Sequence, residues 1–432
     1  MVVGTIIGAS IFVQPSEITG HVPSAAGAAA VWIVSGALTL VGALVCAELA
    51  SALPRTGGVY VYLSEAFSPA LGFLWGWAMF WTMHSGIIAV IGMVFARYLG
   101  YFVELGPMGT RVVAIAAILS LSWINHRGVS WGANLQTVFT LAKVLAILVI
   151  VAIGFALGPS VAPQDVPASS EIASSGSVGS STAGPADFLL AVMAGLFAFG
   201  GWHMVTYNAE ETLDPQRTIP RALVGGVLVV TACYVALNAV YFHLLPLQVV
   251  IESSRVAADA ADAVIGSGGG AVMSALVMFS TLGALAGIVL AGPRVYYAMA
   301  RDGLLFSWIS DVHPRHRTPH RAIWLQGIWA SVLVATGTFR ALFTRVVYTE
   351  WIFFGLLALG LVLLRRRPDL RRGFRMPWVP ILPGLFAAAA MLIVANQFVL
   401  EPVESAIGLT FVLLGLPVYT LWARARARSA GA

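Results

Sequence analysis

The sequence predicts an all-α polytopic membrane protein with about twelve transmembrane helices, arranged as two five-helix inverted repeats and two extra C-terminal helices. Three observations predict this class. Of the 432 residues, 59% are hydrophobic and 10% are charged, whereas about 25% of a soluble protein is charged. Apolar runs of roughly 18 residues or more, long enough to cross a bilayer, recur along the whole chain. A glycine-interrupted apolar run opens each half of the chain.

The apolar runs give the order of the expected spans. Numbered 1 to 12 in chain order, they lie at 2–20, 28–53, 67–101, 110–125, 132–157, 187–211, 222–245, 270–299, 321–338, 346–365, 379–400 and 405–423. The first run lacks a basic leader, so it is not interpreted as a signal peptide. We expect one membrane domain over 1–432, with a first repeat at 1–157, a second at 187–365, and spans 11 and 12 at 379–423.

The placement of arginines predicts the orientation of the chain. Loops on one side hold most of them, including Arg55, Arg217, Arg301 and the run Arg365–Arg367, while the other side holds few, such as Arg111. By the positive-inside rule, both termini then face the cytoplasm of a cell whose plasma or inner membrane holds the protein. The net charge of +5 reflects these loops, and we expect no nucleic-acid partner.

A polar segment divides the two halves. Residues 158–186 are rich in Ser, Gly, Pro and Ala, and we expect a flexible, outward-facing linker. Gly4 and Gly8 interrupt span 1, and Gly200-Gly201 interrupts span 6, the first span after the linker. Broken spans at corresponding places in two halves are the best sequence indication of an inverted-repeat transporter, whose freed backbone groups bind a substrate near the midplane.

The first break lies within Ile6–Phe12. Its unwound N–H groups could hold an anionic group, aided by the positive end of the half-helix that follows. Alternatively, its small residues form a seam that packs span 1 against a neighbour. The pairing with Gly200-Gly201 favours the binding interpretation. A zwitterion that carries a carboxylate and an ammonium would satisfy both breaks.

Two aromatic residues flank the second break, Phe199 before the glycines and Trp202 after them. Either ring could cap a bound ligand, or simply pack inside an apolar span. We favour the capping and gating role for Phe199 and packing for Trp202. His203, the next residue, is interpreted as a hydrogen-bonded interior group rather than a ligand contact or a proton site.

Lys143 is the only lysine of the chain and lies in the middle of span 5. A lysine at the centre of a membrane helix costs roughly 2.5–3.5 kcal/mol on insertion scales. Apolar residues flank it for two turns on each side, which argues against snorkelling to an interface. The position therefore predicts a fixed internal cation or a proton carrier.

Three carboxylates lie near the inner ends of spans 2 and 6: Glu48, Glu210 and Glu211. We expect local ion pairs with cytoplasmic arginines such as Arg55, Arg217 or Arg221. Alternatively, the carboxylates form an inner gate whose ion pairs break during opening, and both interpretations can hold at once.

No motif indicates catalysis or a cofactor. The sequence contains no Gly-x-Ser-x-Gly, no His-Glu-x-x-His and no Walker loop, so an enzyme or an ATP-driven pump is poorly supported. His313, His316 and His320 have a loose metal-like spacing, but the only carboxylate beside them is Asp311. We therefore expect a solvated basic loop there, and neither a metal nor a cofactor.

Four segments resemble the amino acid–polyamine–organocation superfamily of transporters, and within it the L-type amino acid transporter-like branch. Ile6–Phe12 is similar to the family's Ile-Ile-Gly-Ser-Gly-Ile-Phe, and Ala47–Gly58 to its Ala-Glu-Leu…Pro-x-Ser-Gly-Gly. Phe197–Arg221 resembles Phe-Ala-Phe-Gly-Gly-Trp…Glu-Glu…Asn-Pro-x-Arg-x-Ile-Pro, which is highly specific. Arg365–Pro368 with Phe374–Pro377 is the fourth match, and together the four extend over nearly the whole chain.

The resemblance implies a LeuT-like fold of five-plus-five inverted repeats, with the substrate bound between spans 1 and 6. The family's contacts to the substrate carboxylate map to Gly8, Ala9, Ser10 and Ile11. Its ammonium contacts map to backbone carbonyls around Phe197–Gly200 and its gating aromatic to Phe199, with Gly201 and Trp202 completing the predicted site. Lys143 matches a span 5 lysine that stands, in sodium-independent members, where sodium-coupled relatives bind sodium.

The implied activity is secondary transport of small neutral L-amino acids across the bilayer, by sodium-independent exchange or by proton coupling. The alternative substrate is a cationic amino acid or a polyamine. That alternative needs an acidic group facing the site, and the sequence offers none in the middle of the membrane unless Glu48 or Glu210 serves.

The chain departs from the family pattern in places. Ala9-Ser10 replaces Ser-Gly, which moves a hydroxyl by one position, and Thr206 stands where many members have Asn. About seven residues, or roughly 10 Å of helix, precede the first break, so the inner half-helix is short or the start is misassigned. Residues 102–111 contain no cysteine. We therefore expect no disulfide-linked heavy chain of the kind that animal relatives attach after span 3.

Overall fold

The structure, a computed structural model, describes residues 1–8, 10–157, 184–266, 268–337 and 339–430. Within these ranges it describes the side chains except those at 129–133, 135, 339–347 and 425–430. Ala9 and most of the expected linker, residues 158–183, lie outside the described residues. The regular elements of the described chain are all helices, in agreement with the predicted all-α class.

The described first half contains eight α-helices. They are α1 (Val2–Ile6), α2 (Gln14–His21), α3 (Ala25–Ala52), α4 (Val59–Ala66), α5 (Pro69–Ala78), α6 (His84–Leu99), α7 (Pro107–Arg127) and α8 (Val129–Leu157). A 3₁₀ turn, Ser10–Phe12, lies between α1 and α2. A π-helical turn, Met79–Met83, joins α5 to α6 into one continuous membrane-spanning segment.

The described second half contains eleven α-helices. They are α9 (Pro185–Ala198), α10 (Pro215–Leu244), α11 (Leu247–Glu252), α12 (Val256–Ile265), α13 (Gly269–Ala291), α14 (Pro293–Arg301), α15 (His320–Thr336), α16 (Phe339–Leu364), α17 (Ile381–Leu400), α18 (Pro402–Leu413) and α19 (Gly415–Ala430). Two 3₁₀ segments, Trp202–Glu211 and Ser307–Ser310, complete this half.

Nine helical segments within the described ranges are long and apolar enough to cross a membrane. They are Ala25–Ala52, Pro69–Leu99, Pro107–Arg127, Gln136–Ala156, Pro185–Glu211, Pro215–Leu244, Gly269–Arg301, Ile381–Leu400 and Pro402–Arg424. Expected spans 1, 9 and 10 are not among them. Span 1 is divided between α1 and α2, α15 has 17 residues, and the apolar part of α16 is Tyr348–Leu364. The chain is a multi-pass membrane protein, and the count of twelve stays a prediction.

Small residues let the helices around the two broken spans approach closely. An added Cβ at Gly36 on α3 would lie 2.7 Å from the hydroxyl oxygen of Thr231 on α10. An added Cβ at Gly195 on α9 would collide with the hydroxyl of Ser35 on α3. Helices α3, α9 and α10 thus form a tight group without room for larger side chains, as expected where van der Waals packing holds membrane helices together.

One end of the bundle, called the basic end below, carries Arg55, Arg301 and Arg365. Glu65 joins two of its loops, because its carboxylate lies 2.8 Å from Nη1 of Arg55 and 3.2 Å from Nη1 of Arg367. Arginines gathered at one end of a helical bundle form the arrangement that the positive-inside rule describes.

Candidate functional site

The first expected span is interrupted where the sequence predicted. Helix α1 ends at Ile6, and Ile7 leaves the helix with φ −69° and ψ 93°. The chain becomes helical again in the 3₁₀ turn that starts at Ser10. The last carbonyls of α1 and the first N–H groups of the next turn therefore lack partners within a helix. Gly8 and Ile11 are buried at this break, Ser10 is half-buried, and Ala9 lies outside the described residues.

The second break follows α9, which ends at Ala198. Gly201 adopts φ +95°, in the left-handed region. An added Cβ at Gly201 would lie 3.1 Å from the carbonyl oxygen of Thr5 on α1. Glycine is therefore favoured here both by the backbone conformation and by the close approach of α1. Beyond Gly201 the chain continues as the 3₁₀ segment Trp202–Glu211.

The two breaks face each other. Oγ1 of Thr5 lies 3.2 Å from the carbonyl oxygen of Gly201 and 3.0 Å from that of Val2 within α1. The hydroxyl of Tyr234 on α10 lies 3.0 Å from the carbonyl of Ile6 and 3.0 Å from that of Ala198. A hydroxyl has one proton to donate, so this single group is shared between the last carbonyls of α1 and α9. The structure thus brings the chain just before the first break, at Thr5 and Ile6, close to Ala198 and Gly201 of the second break.

Sequence reasoning missed Tyr234. A tyrosine within an apolar span usually finds a hydrogen-bond partner when it is buried, so its presence in span 7 was the available signal. The signal does not say which carbonyls the hydroxyl would contact. Only the fold, which packs α10 behind both breaks, identifies them.

Lys143 lies beside the first break and is buried. Its Nζ donates to the carbonyls of Ile7 at 2.5 Å and Gly4 at 3.0 Å, and lies 3.4 Å from that of Ser280 on α13. These contacts use all three donors of the ammonium. An added Cβ at Gly4 would collide with the hydroxyl of Thr140, so α1 lies directly against α8 here. This geometry fits the predicted fixed internal cation.

The predicted aromatic gate is fully packed in this conformation. The ring of Phe199 is buried 5.0 Å from the ring of Tyr234 and 6.4 Å from that of Trp32. Trp202 packs 5.0 Å from the ring of Phe354 on α16. Both rings therefore contribute to packing around the break, and the gating role of Phe199 stays a prediction.

Similarity to known proteins now identifies the family. The family model described as "Amino acid permease" matches residues 1–421. The chain belongs to the amino acid permease family. The permease is 31% identical over 428 residues to Asc-type amino acid transporter 1 of Mus musculus, a match that covers 98% of this chain and 79% of that protein.

Two further relatives broaden the comparison. The serine/threonine exchanger SteT of Bacillus subtilis (strain 168) is 31% identical over 423 residues, 97% of this chain and 94% of the relative. The cystine/glutamate transporter of Homo sapiens is 30% identical over 427 residues, 98% of this chain and 83% of the relative. The permease is thus an amino acid transporter rather than an enzyme, and the resemblance drawn from its motifs is confirmed.

At the basic end of the permease, Glu48 is fully buried in an ion pair. Its carboxylate accepts from Nε and Nη2 of Arg365 at 2.8 and 2.6 Å, and from the N–H of Met376 at 2.7 Å. Nε of Arg372 lies 3.5 Å away. The expected partner Arg55 was wrong, because Arg55 pairs with Glu65. The end of α3 is thus joined to the segment between α16 and α17.

Glu210 and Glu211 also form ion pairs, with partners other than the expected Arg217 and Arg221. Arg294 donates from Nε and Nη2 to the two carboxylate oxygens of Glu211, each at 3.1 Å. Arg301 lies 3.4 Å from Glu210, whereas Arg217 lies near Asp214 at 4.0 Å. The basic end of the broken span 6 is therefore joined to α14, which continues α13.

Glu350 is a buried acid within an expected span that the sequence analysis did not single out. It lies in the middle of α16 and is only 7% exposed. One helical turn further on, Phe354 contacts the rings of Trp202 and His203, so this face of α16 is directed towards the second break. No cation with a described side chain lies within ion-pair distance of Glu350. The signal was present in the sequence, since an ionisable residue inside an apolar span had singled out Lys143.

His203 differs from its interpretation as a hydrogen-bonded interior group. It is buried among the rings of Trp75, Trp202, Tyr207 and Phe354. Neither of its ring nitrogens has a hydrogen-bond partner among the described residues. The surroundings are aromatic rather than polar, which the sequence alone did not indicate.

A chamber of about 580 Å³ opens at the end of the bundle opposite the basic end. Residues of α2 and α9 line it, among them Gln14, Leu190 and Met193. Met193 precedes Phe197 by one turn, or roughly 6 Å along the helix axis. The chamber therefore lies about one turn of α9 from the second break, whereas the ion pairs described above join helices at the basic end.

Proposed function

We propose that the permease is a secondary transporter of small neutral L-amino acids that binds its substrate between the two breaks. The observation that carries this proposal is the shared contact of Tyr234 with the last carbonyls of α1 and α9, which holds the breaks face to face. Helix α9 directs its negative C-terminal end, with the carbonyls around Phe197–Gly200, at this point. These carbonyls suit a substrate ammonium.

The other half of the zwitterion is assigned to the first break. The N–H groups of Gly8, Ala9, Ser10 and Ile11 precede the outer half of span 1, where the positive end of a helical segment favours an anion. Gly201 and Trp202 border the same space. A ligand with a carboxylate and an ammonium on one carbon joins the two breaks, whereas an ion of one sign would satisfy only one of them.

The architecture proposed for this chain is the five-plus-five inverted repeat, with a first repeat at 1–157, a second at 187–365 and two further helices at 379–423. Its support is that each half opens with a broken span and that the two breaks lie against each other. With the basic end in the cytoplasm, both termini are cytoplasmic and the chamber faces outward, in the plasma or inner membrane. The proposed transport unit is the single chain, without a disulfide-linked heavy chain.

Transport is proposed to be independent of sodium. The ammonium of Lys143 already engages carbonyls of α1 and α13, so a second cation there would meet a like charge and occupied oxygens. Exchange or proton coupling remains as the driving mechanism. The printed name of the Bacillus subtilis relative, a serine/threonine exchanger, supports exchange.

Alternating access is proposed to break the ion pairs at the basic end. Glu48, Glu210 and Glu211 hold α3 and the inner part of span 6 while the chamber is open. Closing the chamber requires the outer halves of spans 1 and 6 to approach, and the ring of Phe199 is proposed to cap the ligand during that step. Opening of the basic end then separates Glu210 and Glu211 from Arg301 and Arg294.

Uptake of a radiolabelled amino acid panel into proteoliposomes tests the proposal. The purified chain is reconstituted with and without internal amino acid, a sodium gradient or a proton gradient. We expect uptake of small neutral L-amino acids that is unchanged by sodium. Absence of uptake of every amino acid would overturn the proposed function, and strict dependence on sodium would overturn the role of Lys143.

A second candidate substrate class is a cationic amino acid or a polyamine, and Glu350 favours it. A carboxylate that is buried beside the second break could pair with a cationic side chain of the ligand. If Glu350 has this role, Glu350→Gln should abolish uptake of arginine while uptake of serine persists. Failure of the wild type to transport arginine would exclude this candidate.

A further inference from the structure

Four histidines gather at the basic end, away from the amino acid site. His126 is near the end of α7, His313 and His316 precede α15, and His320 opens α15. The ring of His126 lies 5.2 Å from that of His313 and 5.7 Å from those of His316 and His320. Side-chain nitrogens of His126, His313 and His316 all lie within 4.8 Å of one another. The sequence indicated only a solvated basic loop here, because His126 joins the cluster through the fold alone.

One residue holds the backbone of three of these histidines in place. Thr318 is buried, and its Oγ1 donates to the carbonyl of His126 at 2.9 Å. The carbonyl of Thr318 accepts from the N–H groups of His313 at 2.9 Å and His320 at 2.8 Å. The cluster is therefore built before any ligand arrives, and it joins the end of α7 to the start of α15.

Two ring nitrogens in the cluster lack partners. Nδ1 of His126 and Nδ1 of His320 are buried without a hydrogen-bond partner among the described residues. Leaving a buried polar atom unpaired costs about 1–3 kcal/mol. A neutral imidazole nitrogen is the commonest side-chain ligand for a metal ion, and ligation would give such an unpaired nitrogen a partner.

We propose that His126, His313 and His316 bind one divalent transition-metal ion of the zinc type, with His320 beside them as a fourth ligand. In a tetrahedral zinc site, ligand nitrogens lie about 3.3 Å apart. One nitrogen from each of the three rings already lies within 4.8 Å of the others, so small side-chain rotations close the site. Imidazole ligands select zinc, copper or nickel over magnesium and calcium.

Two arginines beside the cluster already have partners of their own. Arg127 stacks over the ring of Trp123 at 4.6 Å, and Arg321 pairs with Asp311 at 2.6 Å, so both guanidinium groups have other partners. Nδ1 of His313 accepts two backbone N–H bonds at 3.2 Å. Metal binding at Nε2 of His313 would move the ring proton to Nδ1. Nδ1 could then no longer accept, and these two backbone hydrogen bonds would break.

The proposed site is tested on the full-length permease in detergent, stripped with a chelator and titrated with Co²⁺. We expect one equivalent to bind with the visible absorption of tetrahedral coordination and to be displaced by Zn²⁺. His126→Ala should weaken binding by roughly 100-fold, since loss of an outer-shell partner alone costs about 10–100-fold. His243→Ala is the matched control and should bind as the wild type, because His243 packs on Phe155 of α8 at 5.3 Å.

A second variant keeps the test independent of the folding of the alanine variant. His126→Cys retains a ligand, and its cobalt complex should gain a thiolate-to-metal charge-transfer band. Absence of Co²⁺ binding by the wild type, or equal binding by the wild type and His126→Ala, would overturn the proposal. Phosphatidylserine vesicles test an anionic occupant. Vesicle binding that His126→Ala removes, without any cobalt binding, would also overturn the metal site.

Discussion

Replacement of Lys143 by alanine perturbs the first break without touching the second. The ammonium donates two bonds of 2.5 and 3.0 Å to the carbonyls of Ile7 and Gly4. Hydrogen bonds to charged groups contribute about 1.5–3 kcal/mol each, so the pair contributes roughly 3–6 kcal/mol. Burying a lysine at the membrane centre costs about 2.5–3.5 kcal/mol on insertion scales. The net loss from Lys143→Ala is therefore roughly 0–3 kcal/mol.

This net loss is too small to unfold the protein but large enough to disorder the break. If the conformation that binds substrate loses about 1.4 kcal/mol of stability, the equilibrium constant for forming that conformation falls tenfold. We therefore expect Lys143→Ala to elute as the wild type in size-exclusion chromatography and to transport about tenfold more slowly in proteoliposomes.

The matched control lies on the same helix. Leu141 is 68% exposed on the lipid-facing side of α8, and Leu141→Ala should transport as the wild type. Lys143→Ala with wild-type uptake, measured per amount of folded protein, would refute the assignment of Lys143 to the transport site.

Three further predictions concern the two breaks and the basic end. Gly201→Ala adds a Cβ at φ +95°, 3.1 Å from the carbonyl of Thr5. We expect about 1–3 kcal/mol of strain and at least fivefold slower uptake. The control Gly225→Ala, where nothing lies within 4 Å of the added Cβ, should leave uptake unchanged. Tyr234→Phe removes the hydroxyl that lies 3.0 Å from the carbonyl oxygens of both Ile6 and Ala198. We expect the free energy of amino acid binding, measured in a scintillation assay, to weaken by about 1–3 kcal/mol. Unchanged affinity would contradict this prediction. Arg365→Ala leaves the buried carboxylate of Glu48 without its closest cation. We expect about 3–5 kcal/mol of destabilisation and a clearly lower melting temperature. The control Arg367→Ala removes only exposed ion pairs and should lower stability by less than about 1 kcal/mol.

The helical class and both breaks could be predicted because they depend on local sequence. Apolar length identifies a span, and glycine pairs such as Gly200-Gly201 weaken a helix wherever they occur. Lys143 was found in the same way, since a charge within an apolar span is conspicuous. Applied throughout, that criterion would also have found Glu350.

Contacts between distant parts of the chain could not be predicted from the sequence. The ion-pair partners of Glu48 and Glu211, Arg365 and Arg294, lie far away in sequence, and only helix packing brings them near. The hydroxyl of Tyr234 acquires its role because α10 lies behind both breaks. His126 joins the loop histidines for the same reason, at the contact between α7 and α15.

Protection of an introduced cysteine by substrate tests most directly whether amino acids bind between the breaks. Cys46 and Cys233 are buried, so Ser10→Cys should present the reactive thiol at the first break, where Ser10 is half-buried. Ser254→Cys in the wall of the chamber provides the control. We predict that a transported neutral amino acid slows labelling of Ser10→Cys by a small thiol reagent and leaves labelling of Ser254→Cys unchanged. Equal labelling of Ser10→Cys with and without a saturating substrate, in a variant that still transports it, would contradict the account.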